Sequence, residues 1–229
     1  MHNQPAQISW RATDLGDIPI SDRYDDPYYS LDNGLAETRH VFLDGNDLPA
    51  RFGAPLHIAE LGFGTGLNFL ATVQAWENAG RPGPWHFTSF EGFPLTTDEA
   101  SAALAAFPEV SAFATPLLDL WRAAMTGPAT YADGITLEVI TGDVRQALPT
   151  WDGTADAWYL DGFSPAKNPD MWEPALMHAV GAHTAPNGTL ATYTAAGHVR
   201  RALEEAGFQI TRIPGFGRKR HMTRGVKTT

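Results

Sequence analysis

Two rhythms of apolar and polar residues run along this chain, and the switch from one to the other predicts its elements. From residue 56 onward, short apolar runs of strand type alternate with stretches of helical spacing. Leu56 to Leu61 is the first run. Phe69, Leu70, Val73 and Trp76 then share one helix face, and Gly80 to Pro84 ends that helix. Trp85 to Glu91 is the second strand. Thr97, Asp98 and Glu99 open a helix, and Leu117, Leu118, Trp121 and Met125 fall on another. Thr136 to Ile140, Ala155 to Leu160 and Gly188 to Tyr193 supply the third to fifth strands. Helices are expected over Met171 to His183 and His198 to Ala206, the second stopped by Gly207. Phe208 to Ile213 and a short run from His221 to Arg224 complete the set. Such alternation means βαβ units and a mostly parallel, doubly wound α/β sheet flanked by helices. Residues 53–229 would form this domain. Residues 1–52 would be an extension or lid on its substrate side, with a short strand at Ile8 to Arg11, a helix from Gly34 to Leu43 and a turn at Asp44 to Asn46.

The junction after the first strand reads Glu60-Leu61-Gly62-Phe63-Gly64-Thr65-Gly66-Leu67-Asn68. Three glycines in five residues allow positive φ and close approach of a ligand to the backbone. The following helix start offers N–H groups and a positive dipole end. A purely structural turn fits the same residues. As a cofactor site, the G-x-G-x-G spacing leans away from a dinucleotide pyrophosphate. Glu91, at the carboxyl end of the second strand, is placed to accept ribose hydroxyls of an adenosine cofactor. Asp143 follows the third strand, where it can face the adenine amino group, cap a helix, or do both. Asp161 follows the fourth strand, on the edge where ligands of doubly wound sheets sit.

Composition narrows the setting. The 229 residues contain no cysteine, so disulfides and thiolate metal sites are out. No apolar run reaches the roughly 20 residues of a membrane helix, and Met1 to Pro5 lack the marks of a signal peptide, so a cytoplasmic protein is expected. His178 and His183 are five apart, a poor fit to helical metal ligation, and no metal is expected. Neither a G-x-S-x-G elbow nor a Walker sequence occurs. The net charge is −10, yet no acid follows Glu205, whereas Arg212, Arg218, Lys219, Arg220, Arg224 and Lys227 do. An acidic body with a basic tail can bind an anion locally, or the tail can simply be solvated.

Four stretches resemble one family: Glu60 to Asn68 (ELGFGTGLN), Asp161 to Trp172 (DGFSPAKNPDMW), Thr192 to Arg201 (TYTAAGHVRR) and Gly215 to Met222 (GFGRKRHM). They look like the methyltransferase half of MnmC, the tRNA 5-methylaminomethyl-2-thiouridine biosynthesis protein. Asp25 to Phe52 resembles the same family. The resemblance implies a class I, Rossmann-like fold and S-adenosylmethionine as cofactor, held by Glu60, Gly62, Phe63, Gly64, Thr65, Gly66, Asn68, Glu91, Asp143 and Asp161. It implies methylation of the 5-aminomethyl nitrogen of the tRNA wobble uridine. The flavin oxidase half is not in this sequence, so a separate enzyme would supply the aminomethyl-uridine. Asp161 is expected to orient the amine and take up its proton. Phe163, Pro165 and Tyr193 would shape the pocket, with Lys167 in the same loop on the tRNA side. Tyr28 or Tyr29 would stack on the extruded base, and Arg218, Lys219 and Arg220 would hold anticodon-loop phosphates. An aminopropyltransferase on the same fold, a non-catalytic RNA- or nucleotide-binding module, and a nicotinamide oxidoreductase (disfavoured by the glycine spacing) are the rivals.

Overall fold

The computed structural model describes residues 5–13 and 16–228. The leader reading at Met1 to Gln4 lies outside the described residues. Strands β1 (Ile8–Thr13), β2 (Gly16–Ser21) and β3 (Asp26–Pro27) pair antiparallel in a small sheet. Helix α1 (Gly34–Thr38) is capped by the Asn33 side chain, which accepts from Ala36 N at 2.9 Å. It runs on into π-helical turns over Arg39–Leu43, and α2 (Leu48–Arg51) follows. Val41, Phe42, Leu43, Leu48 and Phe52 are buried in the same apolar cluster as the helix after the glycine-rich turn. The segment from Leu35 to Phe52 thus helps to build the core.

The main domain continues as β4 (Leu56–Leu61), α3 (Leu67–Asn78), β5 (Trp85–Glu91), α4 (Thr97–Leu104), α5 (Ser111–Ala124), β6 (Ala129–Ala132) and β7 (Ile135–Thr141). Then come α6 (Val144–Ala147), β8 (Ala155–Leu160), α7 (Pro174–Ala182), β9 (Thr184–Thr192), α8 (Gly197–Glu205), β10 (Phe208–Pro214) and β11 (His221–Lys227). Eight strands form one sheet in the order β10-β11-β9-β8-β4-β5-β7-β6. The pairs from β9 through β8, β4 and β5 to β7 are parallel, and β11 and β6 pair antiparallel near the edges. Both faces are covered. Ile58, Phe87, Leu137 and Tyr159 point into one cluster with α3 and α5, and Ala59, Phe90, Trp158 and Leu160 into a second with α7 and α8.

Three differences from the sequence reading have physical reasons. β2, β3 and β6 are short or polar strands without a strand-length apolar run. The helix expected from Met171 begins at Pro174: Pro169–Trp172 forms a 3-10 turn, and Glu173 is extended (φ −72°, ψ 152°), as a residue before proline prefers. β9 begins at Thr184, and its polar first half, Thr184 to Gly188, hides it from an apolar-run criterion.

Candidate active site at the carboxyl edge of the sheet

Strand β4 has β5 on one side and β8 on the other, both parallel to it. The loops leaving β4 and β8 diverge at this reversal, which is where an open α/β sheet leaves a crevice. A cleft of about 1800 Å³ lies there, lined among others by Gly62, Gly64, Glu91, Asp143, Asp161 and Tyr193. Single ligands occupy roughly 300–1,000 Å³, so a cofactor and a second reactant fit together.

The glycine-rich turn is built for close approach. At Gly64 (φ +53°) a Cβ would meet the Tyr28 ring at 3.3 Å, and at Gly66 (φ +78°) it would meet Leu117 at 2.8 Å. The amide of Gly64 does not face a phosphate. It donates to Glu91 Oε2 at 3.0 Å, while Phe93 N donates to Glu91 Oε1 at 2.7 Å. Burial pushes the Glu91 carboxyl up, against these backbone donors. A turn whose N–H is spent on a carboxylate suits an uncharged ribose or a cationic ligand better than a pyrophosphate. Phe63 (4% exposed) packs on Trp121 with ring centroids 5.1 Å apart. Thr65 is also buried and lines the cleft.

Beneath the turn runs a closed hydrogen-bond network. Asn68, at the start of α3, donates through Nδ2 to Glu60 Oε1 and to Asp161 Oδ2, both at 2.8 Å. Its Oδ1 accepts from Thr38 Oγ1 at 2.8 Å, and Glu60 Oε2 accepts from Ser89 Oγ at 2.7 Å. Glu60 is 1% exposed and lies under the cleft, away from its surface. Burial raises the Glu60 carboxyl to about 8, despite the Ser89 and Asn68 donors. Asp161 lines the cleft itself, and its Oδ1 accepts from Gly162 N at 2.8 Å. Burial lifts it to about 6, opposed by the Asn68 and Gly162 hydrogen bonds.

The loop after Asp161 is tied at several points. Tyr193 Oη donates to Gly162 O at 2.6 Å, Trp172 Nε1 to Phe163 O at 2.9 Å, and Ser164 N to Asp26 Oδ2 at 2.8 Å. Phe163 stacks on Tyr24 at 4.9 Å and meets the Tyr28 edge at 5.2 Å, forming an aromatic wall. Tyr29 also lines the cleft, but its ring packs on Phe107 at 4.8 Å and its hydroxyl donates to Ala103 O at 3.2 Å. Pro165 and Lys167 lie off the cleft lining, and Lys167 pairs with Asp25. Asp143 caps α6 by accepting from Arg145 N at 3.0 Å, and the Arg145 guanidinium holds its carboxyl below the usual range.

In the tail, Arg218 and Lys219 reach the cleft, whereas Arg220 is exposed outside it. Lys219 pairs with Glu37 at 2.7 Å and sits 4.2 Å over the Tyr193 ring. Sequence reasoning missed Tyr24, Asp26, Thr38, Ser89 and Glu37. Asp26, in the Asp-Asp-Pro-Tyr-Tyr run, and Glu37 and Thr38, within the family-like stretch from Asp25 to Phe52, stood in segments that sequence marked without giving these side chains a role. No group of three or more His, Cys, Asp or Glu that could hold a metal occurs among the described residues. Nor is any single helix among them long and apolar enough to cross a membrane.

Comparison with known proteins gives this geometry a family. A family described as S-adenosyl-L-methionine-dependent methyltransferase matches residues 108–228, just over half of the chain. The tRNA 5-methylaminomethyl-2-thiouridine biosynthesis bifunctional protein MnmC of Stutzerimonas stutzeri is 46% identical over 238 residues, covering 98% of this chain and 36% of that protein. MnmC of Chromohalobacter salexigens is 44% identical over 229 residues, covering 96% and 33%. The chain thus spans about a third of the length of these relatives. The crystal structure of MNMC2 from Aquifex aeolicus aligns with a TM-score of 0.78 at 23% identity, covering 96% of this chain and 70% of that one. The N-methyltransferase NodS from Bradyrhizobium japonicum aligns at 0.50 with 14% identity, covering 86% and 99%. These two likenesses bear on the fold, which is the Rossmann-like class I arrangement seen above. With its glycine-rich turn, its strand-end carboxylates and this sheet order, the chain belongs to the S-adenosyl-L-methionine-dependent methyltransferase family.

Proposed function

We propose that this chain methylates the 5-aminomethyl nitrogen of the wobble uridine, or 2-thiouridine, in tRNA, giving the 5-methylaminomethyl form. The observation that carries the reading is 46% identity across 98% of the chain to a protein named for making that nucleoside. A methylamino group is an amine plus a methyl. S-adenosylmethionine, when bound, supplies a methyl activated by its sulfonium charge. Glu91, the turn from Gly62 to Gly66 and Asp143 would hold it, and the carboxylates around the cleft suit its positive groups.

The chain's own residues do the rest. An alkylamine is mostly protonated at neutral pH and must be neutral to act as a nucleophile. Asp161 presents a carboxylate at the cleft surface with lone pairs left over after its two hydrogen bonds. Its raised proton affinity suits it to orient the amine and accept the proton. Phe163 and Tyr193 shape the pocket and limit water. Holding amine and methyl in line supplies much of the acceleration. A tRNA substrate goes with a cytoplasmic location.

Tyr28 is the aromatic we assign to the extruded base, because Tyr29 is already engaged with Phe107 and Ala103. Stacking contributes about 1–3 kcal/mol per base. Tyr28→Ala should therefore weaken RNA binding by roughly 10- to 100-fold in steady-state kinetics. Tyr29→Ala should instead lower the melting temperature. The reverse outcome would exchange their roles. The reaction itself is tested by incubating the protein with methyl-labelled S-adenosylmethionine and tRNA lacking the modification. Label in the wobble nucleoside supports the proposal, and none there, with active cofactor binding, ends it. Aminopropyl transfer to putrescine from the decarboxylated cofactor would favour the polyamine rival, which the acidic cleft also suits.

A further inference from the structure

Several cations are matched to carboxylates: Lys219 to Glu37, Arg224 to Asp47, Lys167 to Asp25 and, at 3.8 Å, Arg218 to Asp32. One corner of the molecule differs. In the β10–β11 hairpin the register sets Pro214 opposite His221 and Arg212 opposite Thr223, so Arg212 and His221 share a face. Phe208, on that same face, is buried with Val199 and Leu203 of α8, so α8 packs over it. Arg200 projects from α8, its Nε donating to Ala195 O at 3.3 Å. Arg220 sits in the exposed turn just before His221. Desolvation, and then the charges of Arg212, Arg220 and Arg200, lower the proton affinity of His221, in keeping with this placement on one corner. None of the three has an ion-pair partner among the described residues. The nearest acids in sequence, Glu204 and Glu205, lie in the last turn of α8.

Unpaired arginines crowding a histidine repel one another, an arrangement that a polyanion relieves. The rest of the molecule is strongly acidic, with a net charge of −10 for the whole chain. A nucleic acid is therefore turned away elsewhere and drawn to this corner. The corner also adjoins the cleft. Arg218 and Lys219 line the cleft and Arg220 is next in the chain, while α8 begins four residues after cleft-lining Tyr193. We propose that Arg200, Arg212, Arg220 and His221 form the docking surface for the phosphate backbone of the RNA substrate, extending from the cleft mouth across α8 and the β10–β11 hairpin. This rests on the tRNA reading above and adds to it the face by which the RNA is held.

The test is binding of a labelled anticodon stem-loop by fluorescence anisotropy across a salt series. The triple variant R200A/R212A/R220A should bind on the order of 100-fold more weakly at low salt, with the log–log salt slope reduced by about 2. A control that removes two cations elsewhere, R81A/R122A, should stay within about 3-fold of wild type, since the charges it loses lie away from this corner. S-adenosylmethionine binding by equilibrium dialysis should be unchanged in both variants, which shows that they fold. Wild-type affinity and slope in the triple variant, or an equal loss in the control, would overturn the docking surface and leave the methylation reading standing. Failure of the unaltered protein to bind or methylate any tRNA would overturn both.

Discussion

Asp161→Ala is expected to cut methyl transfer by a factor on the order of 10² to 10⁴, with S-adenosylmethionine affinity largely kept. In the proposed mechanism the carboxylate accepts the proton, and the glycine-rich turn and Glu91 remain in place without it. The pH profile gives an independent check. Burial sets the Asp161 carboxyl at about 6, so the wild-type rate should climb as pH rises through that value. The variant should lack this limb. Stability has a definite sign as well. The native value lies above the roughly 3.9 of an unfolded aspartate. Between about pH 4 and 6 the native state keeps a proton that the unfolded state releases, so stability falls as pH rises through the window. Chemical denaturation at pH 4.5 and 7 should show that slope reduced in Asp161→Ala. Turnover of the variant close to wild type at pH 7 would remove Asp161 from the mechanism.

Glu60 offers the second large effect, read through a pair of substitutions. Its carboxyl is buried and raised to about 8, so at neutral pH it is mostly protonated. The amide nitrogen of Asn68 only donates, so the proton sits on Oε2, and the Ser89 hydroxyl, the donor while the carboxyl is ionised, turns to accept it. Glutamine reproduces that pattern, accepting from Asn68 and donating to Ser89. Glu60→Gln should therefore change stability by less than about 1 kcal/mol. Glu60→Ala leaves both partners unsatisfied beside a void and should cost about 3–5 kcal/mol, seen as a fall of roughly 10 °C in Tm. It also frees Asn68 to shift, so Asp161 loses its orientation and kcat drops with the stability. Because the native carboxyl binds its proton more tightly than the unfolded one, wild-type stability should decline as pH rises from about 4.3 towards 8. Glu60→Gln should flatten that decline. Equal stability of the alanine and glutamine variants would show that the network does not hold the floor of the cleft.

The parallel strands were legible because a sheet covered on both faces needs uninterrupted apolar runs. Leu56 to Leu61, Trp85 to Glu91 and Ala155 to Leu160 form with the bounds read from sequence. Strand β6 pairs at the edge of the main sheet and β2 lies in the small antiparallel one; both carry polar residues and leave no such run. Glu91, Asp143 and Asp161 could be marked because topology alone places strand ends at the crevice, and all three line it. Thr38, Ser89 and Asp26 could not. Their roles rest on partners 30, 29 and 138 residues away, and nothing in their local patterns encodes such distances. Asn68 shows the intermediate case. The glycine-rich stretch pointed to it, but only the fold reveals that its side chain joins two carboxylates.

The ties between Asp26 and Ser164, Glu37 and Lys219, and Asp47 and Arg224 span 138, 182 and 177 residues. Loop closure over such lengths comes late in folding. During synthesis the early strands and helices can gather while the ribosome is still working. The cleft wall supplied by residues 22 to 38 can latch only once the segment near Lys219 has left the exit tunnel. A nascent chain stalled before that point would carry an unclosed crevice, exposed to chaperones and proteases.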